Sequence, residues 1–92
     1  MRLISQDGTT DVSYENTLLV LYNNGKFVAI KAYDSISNNE FMFMGFYETL
    51  EKAETAMKMV QEAWLGGSVE FENGFYRKNC VFQFPADDEV EV

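Results

Sequence analysis

Apolar and polar positions alternate with a period of two along most of this chain, and change to a helical period over one stretch only. Residues 17–22 (TLLVLY) and 26–33 (KFVAIKAY) flank Asn24-Gly25, a pair that tolerates the positive φ of a two-residue type I′ turn. A hairpin closed there sets Tyr22 opposite Phe27, Leu21 opposite Val28 and Leu19 opposite Ile30. One face of it carries Leu19, Leu21, Val28 and Ile30. The other carries Leu18, Val20, Tyr22, Phe27, Ala29 and Lys31. Asp7-Gly8 and Asn73-Gly74 are the same turn signal with weaker flanks, and predict two further hairpins.

Residues 34–39 (DSISNN) are turn material, and 40–47 (EFMFMGFY) return as a third strand. Strict alternation puts Phe41, Phe43, Gly45 and Tyr47 on one side and Met42, Met44 and Phe46 on the other. Both sides are apolar. Such a strand is covered twice or leaves one face for a partner.

The helical stretch is 49–65. Ala53, Ala56, Met57, Val60, Ala63 and Trp64 recur as one stripe, and Glu51, Lys52, Glu54, Lys58, Gln61 and Glu62 take the opposite side. Thr49 suits the N-cap, Glu51 the first turn, and Gly66-Gly67 the stop. A single stripe covers a single sheet face. Val69, Phe71, Phe75, Tyr76, Val81, Phe82 and Phe84 supply the remaining strands, and Pro85 ends the last one because it cannot donate to a ladder. The pattern predicts one α+β domain over 1–92. It is an antiparallel sheet of four to six strands with the amphipathic helix (about 49–65) on one face, and a short acidic tail at 86–92.

Composition narrows the function. Ninety-two residues make one domain, and 47% hydrophobic with 15% aromatic content suffices for a core. Fifteen acids against seven bases give a net charge of −8, which disfavours nucleic-acid phosphates and anionic membranes as ligands. A basic protein partner stays open, as does plain solubility. Cys80 is the only cysteine, no apolar run approaches membrane-spanning length, and MRLISQDG lacks a signal-peptide core. These features lead to an expected cytoplasmic location.

The chain has no histidine, which removes the commonest general base and transition-metal ligand. No phosphate-binding glycine motif is present, and no cofactor is expected. Asp87, Asp88, Glu89 and Glu91 form a candidate acidic contact. They lack the glycine turn and distant bidentate Glu of an EF-hand loop, so a solvated tail is the simpler account. Glu70 and Glu72 share a strand face, but Arg77 and Lys78 on the next strand offer ordinary cross-strand pairing. Cys80 has those cations nearby but no base, and reads equally as a small buried hydrophobe. Enzymatic activity is not expected.

The candidate interface is the sheet face assigned Tyr22, Phe27, Met42, Met44 and Phe46, with the C-terminal segment expected to cover part of it. Three stretches, MRLISQDGTTDVSYEN, FYETLEKAETAMKMVQEAW and VFQFPADDEVEV, carry a resemblance. They resemble a family of small uncharacterised proteins from Gram-positive gut bacteria and their phages and integrative elements. Those chains commonly open MRLISQDGTIDVPYE and end in FQFP followed by acids; here Thr10 replaces the aliphatic and Ser13 the proline. The resemblance implies a mobile-element setting and no catalytic or binding residue.

The expectation is therefore an acidic, non-enzymatic protein acting by protein–protein contact, with homodimerisation open. Two rivals accompany it. One is a mobile-element decoy for a basic host nucleic-acid-binding or defence protein. The other is a small-molecule binder with an aromatic pocket near Phe46, Tyr47 and Trp64.

Overall fold

The structure, a computed structural model, describes residues 1–34, 40–66 and 81–91 in full, and the backbone of 68–71 and 74–77. Among the described residues eight strands and one α-helix follow in the order β1 (Arg2–Ile4), β2 (Asp11–Ser13), β3 (Thr17–Asn23), β4 (Val28–Asp34), β5 (Phe41–Tyr47), α1 (Leu50–Gly66), β6 (Ser68–Phe71), β7 (Gly74–Arg77) and β8 (Val81–Gln83). The α+β class is as the pattern predicts. The strands expected in one sheet divide into a three-stranded sheet β3-β4-β5, a second of order β2-β1-β8, and the hairpin β6-β7. The pairing of β8 with β1 is parallel, so one ladder departs from the antiparallel plan.

Each hairpin signal marks a real reversal with its own loop length. The first spans 5–10, where Gly8 takes φ +79° and the Asp7 carboxylate accepts from Ser5 Oγ, Thr9 N and Thr9 Oγ1. Those three donors hold the Asp7 carboxyl at about 2. In the second, Asn23 pairs with Val28, leaving 24–27 as the loop. The Asn24 side chain accepts from Lys26 N and Phe27 N, an Asx turn, and Gly25 takes φ +87°. Tyr22 therefore pairs with Ala29 and Leu21 with Ile30, each two places from the expected partner. A shift of two preserves the faces, whereas a shift of one would have exchanged them. In the third, Phe71 pairs with Gly74 across the β6-β7 hairpin; Asn73, Glu72, Lys78 and Cys80 lie outside the described residues.

The helix begins as its sequence dictates. Thr49 Oγ1 accepts from Lys52 N at 3.2 Å, the N-cap bond that satisfies an otherwise orphaned donor. Ala53, Ala56 and Val60 are buried against the inner face of the β3-β4-β5 sheet. Small side chains there let the helix approach closely, and Val60 alone gains about 1.5–3 kcal/mol by leaving water. The second sheet packs against the same core. Leu3 and Phe84 join Val28, Ile30, Met44, Tyr47 and the helix residues in one cluster, with Val12 and Phe82 at its border.

The C-terminal segment corrects two expectations. Residues 86–91 are docked, not a solvated tail: Val90 is buried in the core cluster, and Asp87–Glu89 form a 3-10 turn. The Asp87 carboxylate accepts from Glu48 N at 2.8 Å and from the Lys52 ammonium at 3.0 Å. Pro85 O accepts from Gln6 Nε2 at 3.0 Å and from the Tyr47 hydroxyl at 2.8 Å. Phe84 and Val90 thus close the helix side of the molecule. Of the C-terminal segment expected to shield the opposite sheet face, the described residues 84–90 are committed to this side instead.

Candidate functional site: the bare aromatic face of the central sheet

The face of β3-β4-β5 turned away from the helix is built from three rows of three. Leu18, Tyr33 and Phe41 form one row across the strands; Val20, Lys31 and Phe43 the next; Tyr22, Ala29 and Phe46 the third. Directly paired residues share a face, so this grid follows from register alone. Phe27, from the hairpin loop, adds its ring beside Tyr22, Phe43 and Phe46 at centroid distances of 6.0, 6.5 and 5.5 Å. Phe43 and Phe46 lie 4.8 Å apart, Phe41 and Phe43 5.3 Å, and Tyr33 and Phe41 5.6 Å. The rings form one continuous cluster that stays in water. Leu18 is 57% exposed, Phe46 47%, Phe41 41% and Phe43 37%.

The membership differs from the expected one because β5 carries a bulge. Gly45 pairs with Ile30 and Phe43 with Lys31, leaving Met44 as the extra residue. Alternation therefore restarts within the strand. Phe46 faces outward with Phe41 and Phe43, while Met44, Gly45 and Tyr47 face inward together. Of the five predicted interface residues, Tyr22, Phe27 and Phe46 are brought together on this face. Met44 is a correction: it is fully buried in the core. Met42 is another: it pairs with Ala32 on the inner side, where it lines a cleft with Val12, Asn16 and Thr17. Phe41 and Phe43 take their places. A glycine inside a strand pattern is the signal that a bulge interrupts it, and Gly45 is that glycine.

Two contacts hold the bulge. A Cβ on residue 45 would lie 3.0 Å from Tyr47 Cε2 and 3.2 Å from Gln6 Cδ, so only glycine fits without displacement. Gln6 acts as a short strand along the free edge of β5. Its N–H donates to Met44 O, its Oε1 accepts from Phe46 N, and its Nε2 donates to Phe46 O. The bulge and its glutamine clasp set which aromatic rings face out. Beneath them Tyr47 is buried, and desolvation pushes its hydroxyl up to about 12.

Lys31 occupies the middle of the grid. Its ammonium stands 3.9 Å from the Tyr22 centroid, 4.0 Å from that of Phe41 and 5.8 Å from that of Phe43. Ring quadrupoles attract it by about 0.5–2 kcal/mol in such a setting. Among the described residues no carboxylate forms an ion pair with it.

The other predicted sites are dispersed. Asp87 turns inward to Glu48 and Lys52, both of which lower its carboxyl below the ordinary aspartate range. Asp88, Glu89 and Glu91 are exposed, and Glu89 also accepts from Ala86 N. Among the described residues no group of three or more metal-ligating side chains is assembled. The trio suggested for an aromatic pocket does not converge. Trp64 packs on Tyr14 at 4.9 Å, near the far end of a 17-residue helix that starts beside Tyr47, a span of about 25 Å. Phe46 faces outward. The cleft of about 390 Å³ near Met42 contains Tyr33 as its one aromatic lining residue among the described residues. Among the described residues no helix is long and apolar enough to cross a membrane.

No protein-family model, curated protein or solved structure matches the chain.

Proposed function

We propose that the chain is a non-enzymatic protein-interaction module whose contact surface is the outer face of the β3-β4-β5 sheet. The exposed aromatic grid around Lys31 carries this reading. Folding places the helix, the second sheet and the C-terminal segment on the opposite side, and leaves a contiguous set of large rings in water. Soluble monomers seldom expose large contiguous apolar patches, and aromatic anchors dominate the energetics of protein contacts. Held by cross-strand pairs on a rigid sheet, these rings lose little conformational freedom on binding. The bulge reinforces the reading, because it adds Phe46 to a face that strict alternation would have denied it.

A displayed library of random peptides, panned against the immobilised chain, tests the surface. Selected binders are expected to lose at least about tenfold in affinity when Phe43→Ser is introduced, a typical hot-spot cost. Met59→Ser, on the exposed side of the helix, leaves them unchanged. Binders indifferent to Phe43, or lost equally with Met59, place the contact elsewhere and end the proposal.

A further inference from the structure

The chemistry of the partner can be read from the one charged residue on the aromatic grid. Lys31 is central in both directions, on the middle strand and in the middle row. Its ammonium sits between rings from both edge strands, Tyr22 of β3 and Phe41 of β5, so a partner that covers those rings lies over the ammonium as well. In the free protein water solvates the charge. Once the rings are covered, the ammonium is buried, and a buried unpaired charge costs several kcal/mol. Whatever closes this face must bring an anion to its centre.

That requirement disfavours a second copy. A face-to-face homodimer centred on the patch has its two-fold axis passing near Lys31, which sets one ammonium against the other. Moving the axis aside separates the charges but uncovers part of the ring cluster. The net charge of −8 on each chain adds repulsion. It also opposes nucleic-acid phosphates, for which a single lysine on the face supplies little counterion release. A protein segment with one carboxylate among apolar side chains meets both demands: the rings are covered and the ammonium is paired.

We propose that the outer sheet face binds a different protein through a segment that sets one Asp or Glu carboxylate over Lys31, with apolar side chains around it on the aromatic grid. This rests on the reading of that face as a protein contact. The same displayed library is panned in parallel against the wild-type chain, Lys31→Met and Lys31→Glu, with circular dichroism showing each to be folded. Wild type is expected to enrich peptides with a single acid flanked by apolar residues. A synthetic peptide of that type should weaken at least tenfold on Lys31→Glu, and its acid-to-lysine counterpart should regain affinity there.

Enrichment without acids, or identical selections by wild type and Lys31→Met, overturns the carboxylate while leaving the protein-contact reading standing. Failure to select any Phe43-dependent peptide overturns both. A dimer in sedimentation equilibrium that Phe43→Ser dissolves replaces the heterologous partner with a second copy. Saturable binding of a labelled oligothymidylate, lost in Phe43→Ser, replaces protein with nucleic acid.

Discussion

On the inner face of the β3-β4-β5 sheet, Ile30, Ala32, Met44 and Tyr47 are buried beneath the helix and the second sheet. On the outer face Phe41, Phe43 and Phe46 are as apolar and larger, yet they remain well exposed. Hydrophobicity therefore does not distinguish core from surface in this sheet. What distinguishes them is the supply of covering elements. Among the described residues one amphipathic helix, one three-stranded sheet and the C-terminal segment 84–90 supply cover, and all three go to the same side. The outer face is what these elements leave bare.

Adjacent residues on β5 give the strongest way to break that contrast. Met44→Lys places a charge in a fully buried position without a partner, and is expected to cost more than about 4 kcal/mol. Against a typical total of about 5–15 kcal/mol, this leaves a marginal or unfolded chain. Phe43→Lys, one residue earlier, adds the same charge to the outer face and should shift stability by less than about 1 kcal/mol. Urea titrations followed by far-ultraviolet circular dichroism compare the two. Equal midpoints for both variants would mean that the assignment of faces is wrong.

A pair of phenylalanines sharpens the same point at the C-terminal end. Phe84 is 1% exposed and its truncation to Ala removes a ring from the shared core, at an expected cost of about 3–5 kcal/mol. Phe46→Ala removes the same atoms from the outer face, where little burial is lost, and should cost under about 1 kcal/mol. Denaturant midpoints at a common slope decide the matter. If Phe46→Ala were as costly as Phe84→Ala, the outer rings would be a second core and not a contact surface.

The faces of the β3-β4 hairpin were legible from alternation, because the Asx loop moved the register by two and an even shift preserves them. The helix was legible to within a residue at each end, since its stripe, cap and glycine stop agree. The membership of the site was less so. Alternation through EFMFMGFY grouped Phe46 with Met42 and Met44, and the bulge at Met44 sets Phe46 with Phe41 and Phe43 instead. Gly45 was the available sign, but its meaning depends on the Tyr47 ring and Gln6 side chain that crowd it, and these are contacts across the fold. The parallel β1-β8 ladder has no local signature at all, because parallel partners are joined by the whole intervening chain. Acidic composition likewise suggested a solvated end. A carboxylate next to a helix start and a lysine is instead a docking point, and Asp87 finds both.

That docking point makes the mildest test of how the two faces divide the available cover. The Glu48 N–H and the Lys52 ammonium hold the Asp87 carboxyl below its ordinary range. A depressed folded-state value means that the contribution is fully present above the unfolded aspartate value and disappears as pH falls through the lower, folded one. Asp87→Asn should therefore be less stable than wild type near neutrality, by less than either core substitution. The difference should close in acid, where the wild-type carboxyl is protonated too. Loss of the Lys52 pair loosens the segment that carries Val90, on the inner side of the molecule. Hydrogen exchange should accordingly quicken at Glu48, Glu89 and Val90, whose amides are bonded to or within this segment, and stay unchanged along β4. Faster exchange across β4 would show that the segment supports the outer face as well, and that the two faces share one cover after all.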